Sequence, residues 1–227
     1  MLIGWIQRAR KPGIGILLLL IGIAHGLLYI FIVPPWQHYD EPGHFEFAWL
    51  SANYANQNDT GFYDQDMRRE VDASMVEHDF YRELGGPPNL LLSNTRIEIG
   101  LSQINPRRIY YWVLSRVIGV VLASDLIFQL YLGRLFSLFL FLLSILSAKR
   151  MIENLTAPGH PLRWMVPLSL VLIPGFVDIM TAVNDDVGAI TVFFGFLLIS
   201  VVVIKKGFSW LRLITLAGLA AVSFWTK

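Results

Sequence analysis

Long apolar runs separated by short polar segments cover most of the chain. Five of them are predicted to be membrane-spanning helices, because about 20 apolar residues, each rising about 1.5 Å, cross a hydrocarbon core of about 30 Å. The first run has no charged residue and continues into Pro34-Pro35 without the small-residue cleavage site of a secretory signal, so we expect an uncleaved anchor. The predicted spans are residues 13–33, 126–148, 164–183, 187–204 and 211–225.

A further apolar run, residues 109–124, is shorter and has Arg116 at its centre. Its aromatic start, Tyr110-Tyr111-Trp112, is typical of an interfacial or re-entrant helix, and we do not count it as a span. The basic residues of the short connections then all fall on one side of the membrane, which the positive-inside rule makes the cytoplasmic side. These residues are Arg8, Arg10, Lys11, Lys149, Arg150, Arg163, Lys205, Lys206 and Arg212.

These spans predict an all-α fold: a polytopic transmembrane helix bundle that forms a single membrane domain over residues 1–227. The N-terminus is predicted to be cytoplasmic, and residues 34–108 form one large, partly helical external loop. The composition indicates an integral membrane protein, since 55% of the residues are hydrophobic and 15% are charged. We expect it in the plasma membrane. Cysteine is absent, which excludes disulfides and thiolate metal sites.

Within the loop, a helix is predicted to begin at Asp40, which would cap it, with Pro42 in the first turn and Phe45, Ala48, Trp49 and Ala52 on one face. A second helix is predicted over residues 67–80. The loop is too rich in aromatic residues to be interpreted as disordered. We therefore expect it to fold against the membrane and to carry the function.

Candidate chemistry begins with Asp40 and Glu41, which follow the first span. Adjacent carboxylates cannot point the same way on a regular helix, so one is expected to face a substrate and the other a cation or an arginine. The alternative is an N-cap followed by a glutamate that complements the helix dipole. His44 lies one helical turn beyond Asp40. A carboxylate and an imidazole at such a spacing can bind a divalent cation such as Mg²⁺ or Mn²⁺, and Glu41 with His44 is the candidate ligand pair.

A second acidic group, Asn184-Asp185-Asp186, lies at the outer end of the third span, on the same predicted side as Asp40. Ionisable residues at such depth usually face a cavity or a partner. Asp178 precedes Asp185 by seven residues, so a continuous helix would place both on one face. Arg134 lies near the outer leaflet and is expected either to reach the headgroups or to approach a phosphate.

Four segments occur in a fixed order along the chain: Tyr39–Phe45, Asn105–Trp112, Gly133–Ser137 and Pro174–Asp186. In this order they resemble the N-terminal half of the GT-C superfamily, the multispan glycosyltransferases that use polyprenyl-phosphate-linked sugars. The resemblance implies that Asp40 is the catalytic base toward an acceptor hydroxyl, with Glu41 beside it, and that Asp185 or Asp186 binds substrate or metal. A cation or an arginine such as Arg134 would neutralise the leaving phosphate.

Two other classes compete with this interpretation. The chain corresponds to about half of a superfamily member, so it is alternatively a non-catalytic scaffold subunit that binds partner membrane subunits in a larger complex. A channel or transporter is less favoured, because we expect no span with a Gly/Pro break beside a central charge. Hydrolase, metalloprotease, phosphate-loop and nucleic-acid motifs are missing from the sequence. The expected ligands are a polyprenyl-phosphate sugar donor and membrane lipid.

Overall fold

A computed structural model describes residues 13–53, 64–82 and 108–226. Every regular element in these ranges is an α-helix, as the apolar runs predict. The helices are α1 (Ile14–Ile32), α2 (Glu41–Ala52), α3 (Gln65–Glu77), α4 (Ile109–Gly119), α5 (Leu126–Leu155), α6 (Leu162–Leu172), α7 (Pro174–Thr181), α8 (Asp185–Lys206) and α9 (Trp210–Thr226).

Three helices in the described ranges, α1, α5 and α8, are long and apolar enough to cross a membrane. Helices α6 and α7 make a fourth candidate if the pair counts as one span. Helix α9 is apolar but has 17 residues, so its crossing stays a prediction. Helix α4 has 11 residues and would extend only about 16 Å, too short for a span.

The expectation was of no span with a Gly/Pro break beside a central charge, and its first part is wrong if α6 and α7 count as one span, because a proline break separates them. Helices α6 and α7 meet at an angle of 67° where Ile173 precedes Pro174. Proline disfavours helical backbone in the residue before it, and Ile173 is accordingly extended, with φ −76° and ψ 111°. Pro174 then begins α7, a position at which its missing N–H costs no helical hydrogen bond.

A second interruption separates α7 from α8, so the idea that Asp178 and Asp185 share one face of a continuous helix is also wrong. Helix α7 ends at Thr181, and the chain is extended at Ala182 and Asn184 before α8 begins. Backbone N–H and C=O groups in such a break lose their helical hydrogen bonds and need other partners. The side chains that provide these hydrogen bonds are part of the candidate site.

Helix α5 lies at the centre of the bundle and contacts α1, α4, α6, α7 and α8. Helix α9 packs against α8 and α4, and α2 packs against α4. The expectation of one apolar face on α2 is incomplete, because every residue from Glu41 to Ala48 is buried. Helix α3 joins this layer through a buried ion pair between Arg68 and Glu46.

Candidate functional site

The Glu41–Arg134 pair is the most deeply buried charged contact of the described residues, with both side chains 0% exposed. Arg134 on α5 donates from Nε to Glu41 Oε1 at 2.9 Å and from Nη2 to Oε2 at 2.6 Å. This two-pronged geometry matches the planar fork of arginine to a carboxylate. We call this contact the Glu41–Arg134 clasp.

Arg134 also binds the carboxyl end of α1. Its Nη1 donates to the carbonyl oxygens of Ile30 and Val33, each at 2.8 Å, and Nη2 donates to that of Pro34 at 2.9 Å. The last carbonyls of a helix have no helical N–H partner, and Arg134 donates the hydrogen bonds that they lack. All five N–H donors of the guanidinium group are thereby engaged, so the geometry gives Arg134 a structural role and leaves it no donor for the predicted phosphate contact.

Glu41 satisfies the break between α7 and α8 as well, because its Oε1 accepts a hydrogen bond from the Val183 N–H at 3.2 Å. Gly133 permits this approach, since a Cβ there would lie 2.8 Å from a Val183 methyl group. Of the two adjacent acids, Glu41 is thus the one that meets an arginine. Its predicted catalytic and metal-binding roles would compete with these contacts.

Asp40 has a different environment from its neighbour. It occupies the residue before α2 in the left-handed region, with φ 54° and ψ 14°, and its side chain does not cap the helix as expected. The side chain is half-buried, and it makes no hydrogen bond with any residue in the described ranges. Asp40 is therefore a half-buried carboxylate without a hydrogen-bond partner among the described residues.

The second acidic segment lies directly beside the first. Asp185 Oδ1 is 3.8 Å from His44 Nδ1, and the Asn184 side chain donates to the Tyr39 carbonyl at 3.4 Å. Arg108, at the start of α4, donates from Nη1 to Asp185 Oδ2 at 2.9 Å. The buried Asp185 side chain therefore joins α2, α4 and α8, while half-buried Asp186 lies in the first turn of α8.

Two tyrosines of α4 complete the contact between these segments. The Tyr110 hydroxyl accepts a hydrogen bond from the Asn184 N–H at 3.1 Å, and the Tyr111 hydroxyl lies 2.7 Å from His44 Nδ1. Burial, more than any other cause, raises the pKa of both phenols well above the usual range, so both stay protonated. The sequence predicted these two tyrosines only as the aromatic start of a helix. Their position in the chain between the two acidic segments was the only indication of a role in the site.

His38 and Asp178 form a further contact that the sequence did not reveal. His38 Nδ1 lies 2.9 Å from Asp178 Oδ1, and the imidazole is fully buried while the carboxylate is 37% exposed. Burial lowers the pKa of His38; the carboxylates of Glu41 and Asp178 act in the opposite direction, and Arg134 adds to the lowering. His38 is therefore neutral in the folded protein near pH 7.

The metal-binding prediction concerns Glu41 and His44. No group of three or more His, Asp or Glu side chains within the described ranges is arranged to hold a metal ion. The predicted pair is divided between other partners, because Glu41 binds Arg134 and His44 Nδ1 faces Tyr111. A divalent cation stays a prediction.

The segment that resembles the start of the interfacial helix is only partly described, since residues 105–107 lie outside the described ranges. Comparisons of the chain with protein-family models, with curated protein sequences and with solved structures find no match.

Proposed function

We propose that the chain is a GT-C-like glycosyltransferase, or its N-terminal portion, in the plasma membrane. It transfers a sugar from a polyprenyl-phosphate donor to an acceptor on the external side. The observation that carries the proposal is the meeting of the two acidic segments, with His44 and Asp185 3.8 Å apart and the Asn184 side chain bonded to the carbonyl of Tyr39, the residue before Asp40. The cytoplasmic N-terminus belongs to the same proposal.

Asp40 is the base in this proposal. Its half-buried carboxylate is next to Glu41, whose own carboxylate is fixed by Arg134, so the backbone that presents Asp40 is anchored. A positioned carboxylate can accept the proton of an acceptor hydroxyl as the hydroxyl oxygen attacks the anomeric carbon. The clasp supplies the rigidity that this positioning requires.

Arg108 takes the phosphate role that the sequence assigned to Arg134. Its side chain is 31% exposed and is oriented by Asp185, which binds Nη1. Its Nε and Nη2 donors have no acceptor among the residues that the structure describes. A partly exposed guanidinium that a carboxylate orients beside the membrane interface suits the charge that develops on a departing lipid phosphate.

The test is transfer by the purified full chain from a panel of polyprenyl-phosphate sugars, comparing Asp40→Asn with Asp79→Asn. Asparagine tolerates the left-handed backbone of position 40, so the substitution removes the base without straining the fold. We expect transfer to fall about 100- to 10,000-fold, the range of general-base contributions. The unfolding midpoint should not change.

Asp79 provides a matched control, because it is also an aspartate with positive φ, at 59°, and it lies in the same external segment at a solvent-exposed position. Asp79→Asn should keep full activity. Normal transfer by Asp40→Asn would refute the role of Asp40. Folded protein that turns over no donor in the panel would contradict the proposed function.

A scaffold subunit is the second candidate, and one observation favours it. Three carboxylates near the site face internal partners: Glu41 faces Arg134, Asp185 faces Arg108 and Asp178 faces His38. Such pairs also serve a protein that only holds its helices together. Absence of transfer together with stable recovery in a complex with other membrane subunits would favour this candidate.

A further inference from the structure

An apolar groove runs between α8 and α9, away from the candidate site. It has a volume of about 400 Å³, and its walls are almost wholly apolar. Helix α8 has fully buried residues only at its first turn, and beyond it most residues are half-buried against α5 and α9. The groove is lined by Phe196 of α8 and by Trp210, Leu213, Ile214, Leu216, Ala217 and Ala220 of α9.

The groove has the length of one membrane leaflet. Its lining extends from Trp210 to Ala220, and ten helical residues rise about 15 Å, half of a hydrocarbon core of about 30 Å. Trp210 is 75% exposed at one end, a position typical of aromatic residues at the membrane interface. The groove therefore suits something that begins at the interface and ends near the bilayer midplane.

A basic turn lies at the interfacial end of the groove. Lys205 and Lys206 end α8, and Arg212 binds the carbonyls of Lys206 and Gly207 and so fixes the turn that leads into Trp210. Both lysines are exposed, and neither has an acidic partner within the described ranges. This turn offers two unneutralised ammonium groups to an anion at the membrane surface.

The volume of the groove argues against a helix as its occupant. A helix segment 15 Å long and about 10 Å across occupies about 1,200 Å³, so it could lie over the groove but not within it. A single alkyl chain is much thinner. Together with the basic turn, this selects a molecule with an anionic head and an apolar tail.

We propose that the α8–α9 groove binds an anionic phospholipid, with one acyl chain along α9 and the phosphate at Lys205 and Lys206. Each lysine near a membrane surface contributes about fivefold to the retention of an anionic lipid. The apolar lining retains the chain, while the charges select the headgroup. This site is independent of the proposed transferase activity, since it lies at the opposite end of α8 from Asp185.

The experiment measures quenching of Trp210 fluorescence in the full chain reconstituted into vesicles. The probes are brominated phosphatidylglycerol and brominated phosphatidylcholine at equal mole fraction, and the Trp210 signal is the difference between the chain and Trp210→Phe. We expect stronger quenching by phosphatidylglycerol. The Lys205→Gln/Lys206→Gln double variant should weaken its binding about 30-fold.

Two matched variants make the result specific. Ala217→Phe fills the groove and should abolish the preferential quenching, whereas Thr215→Phe, on the opposite side of α9, should not. Arg150→Gln removes an exposed charge from the far end of α5 and should also leave quenching unchanged. Equal quenching by both lipids, or quenching that survives the lysine substitutions, would overturn the proposal, as would a groove covered by a second copy of the chain in crosslinking.

Discussion

The Glu41–Arg134 clasp joins parts of the chain that are distant in sequence. Arg134 and Glu41 are 93 residues apart, and the Glu41–Val183 bond spans 142 residues. A buried ion pair adds little net stability when intact, because both charges lose their hydration. Removing one partner is costly, however, since the other charge is then buried alone.

Glu41→Gln should therefore destabilise the protein strongly. The amide cannot neutralise Arg134, and we expect the free energy of unfolding to fall by about 3–5 kcal/mol. Thermal unfolding in detergent measures the change. Glu77→Gln, at an exposed position of α3, is the control and should alter stability by less than about 0.5 kcal/mol. Equal midpoints for the two variants would show that the clasp does not hold the fold.

His38 should make stability depend on pH. Its pKa in the folded protein lies below the ordinary histidine value of 6.5, so as pH falls the unfolded chain takes up the proton first. The free energy of unfolding should accordingly decrease below about pH 6.5 and be constant above it. Unfolding midpoints at pH 8 and pH 5.5 test this.

His38→Gln should reduce the difference between the two midpoints. His160→Gln, which changes an exposed histidine, should not. A pH dependence that is the same in His38→Gln and the unsubstituted chain would show that another group is responsible.

The residue types of the site could be predicted from the sequence, but not their partners. Adjacent acids at a helix start indicate two different environments, and the structure gives Glu41 an arginine and Asp40 an open position. No residue near Arg134 in the sequence indicates that its side chain contacts α1. These contacts depend on which backbone carbonyls at the end of the folded α1 lack helical hydrogen bonds. The bond from Arg108 to Asp185 has no local signal either, because the two residues are 77 positions apart.

Among the helices, the approach of α4 to α8 depends on a glycine. A Cβ at Gly188 would lie 2.9 Å from the Tyr110 ring, closer than side chains normally tolerate. Tyr110 is buried and holds the Asn184 N–H of the α7–α8 break, so the ring has little room to move. Gly188 thus lets the tyrosine reach the unpaired backbone group.

Gly188→Ala should destabilise the protein by about 1–3 kcal/mol through overpacking, even though alanine favours helix formation. Gly175→Ala is the matched control, because a Cβ at Gly175 in α7 would meet no atom within 4 Å. The control should be neutral or more stable by up to about 1 kcal/mol. A stabilised Gly188→Ala variant would contradict this account of the contact, as measured by thermal unfolding.

The positions of the helices could be predicted from the length and composition of the apolar runs. The break at Pro174 and the complete burial of α2 could not. The start of α5 at Leu126 agrees with the prediction, but the helix continues to Leu155 because polar residues after Ala148 still favour helix. The break at Pro174 was missed, since an apolar composition is unchanged by a bend, whereas the break before α8 lies within four residues of the predicted boundary between residues 183 and 187. Helix α2 was expected to be amphipathic, and its burial arises from contact with α4, which no local pattern encodes.

For the molecule as a whole, the predicted orientation is testable because the chain contains no cysteine. Single cysteines at the exposed positions Asp79 and Lys206 should react with a membrane-impermeant maleimide from opposite sides. On intact cells, we expect labelling of Asp79→Cys and none of Lys206→Cys until the membrane is permeabilised. The reverse result would invert the topology, and labelling of both would show that an even number of spans, and not the predicted three, separates the two positions.

The sequence predicts the two acidic segments on the same side of the membrane, and in the structure they are in contact. The side of the membrane does not specify how far apart the two segments lie, however. That distance depends on the proline break before α7 and the extended residues before α8, which bring Asn184 and Asp185 to α2 and α4. The function stays a proposal, since convergence describes a possible site rather than a reaction.

The bonds from Arg134 to α1 also bear on biogenesis. The carbonyls of Ile30, Val33 and Pro34 receive their donor from a residue made 100 to 104 positions later. While the ribosome is still synthesising the intervening chain, the first helix has an unfinished end and Glu41 has no counterion. The first span can thus enter the bilayer early, but it reaches its native state only after the insertion machinery has delivered α5 beside it.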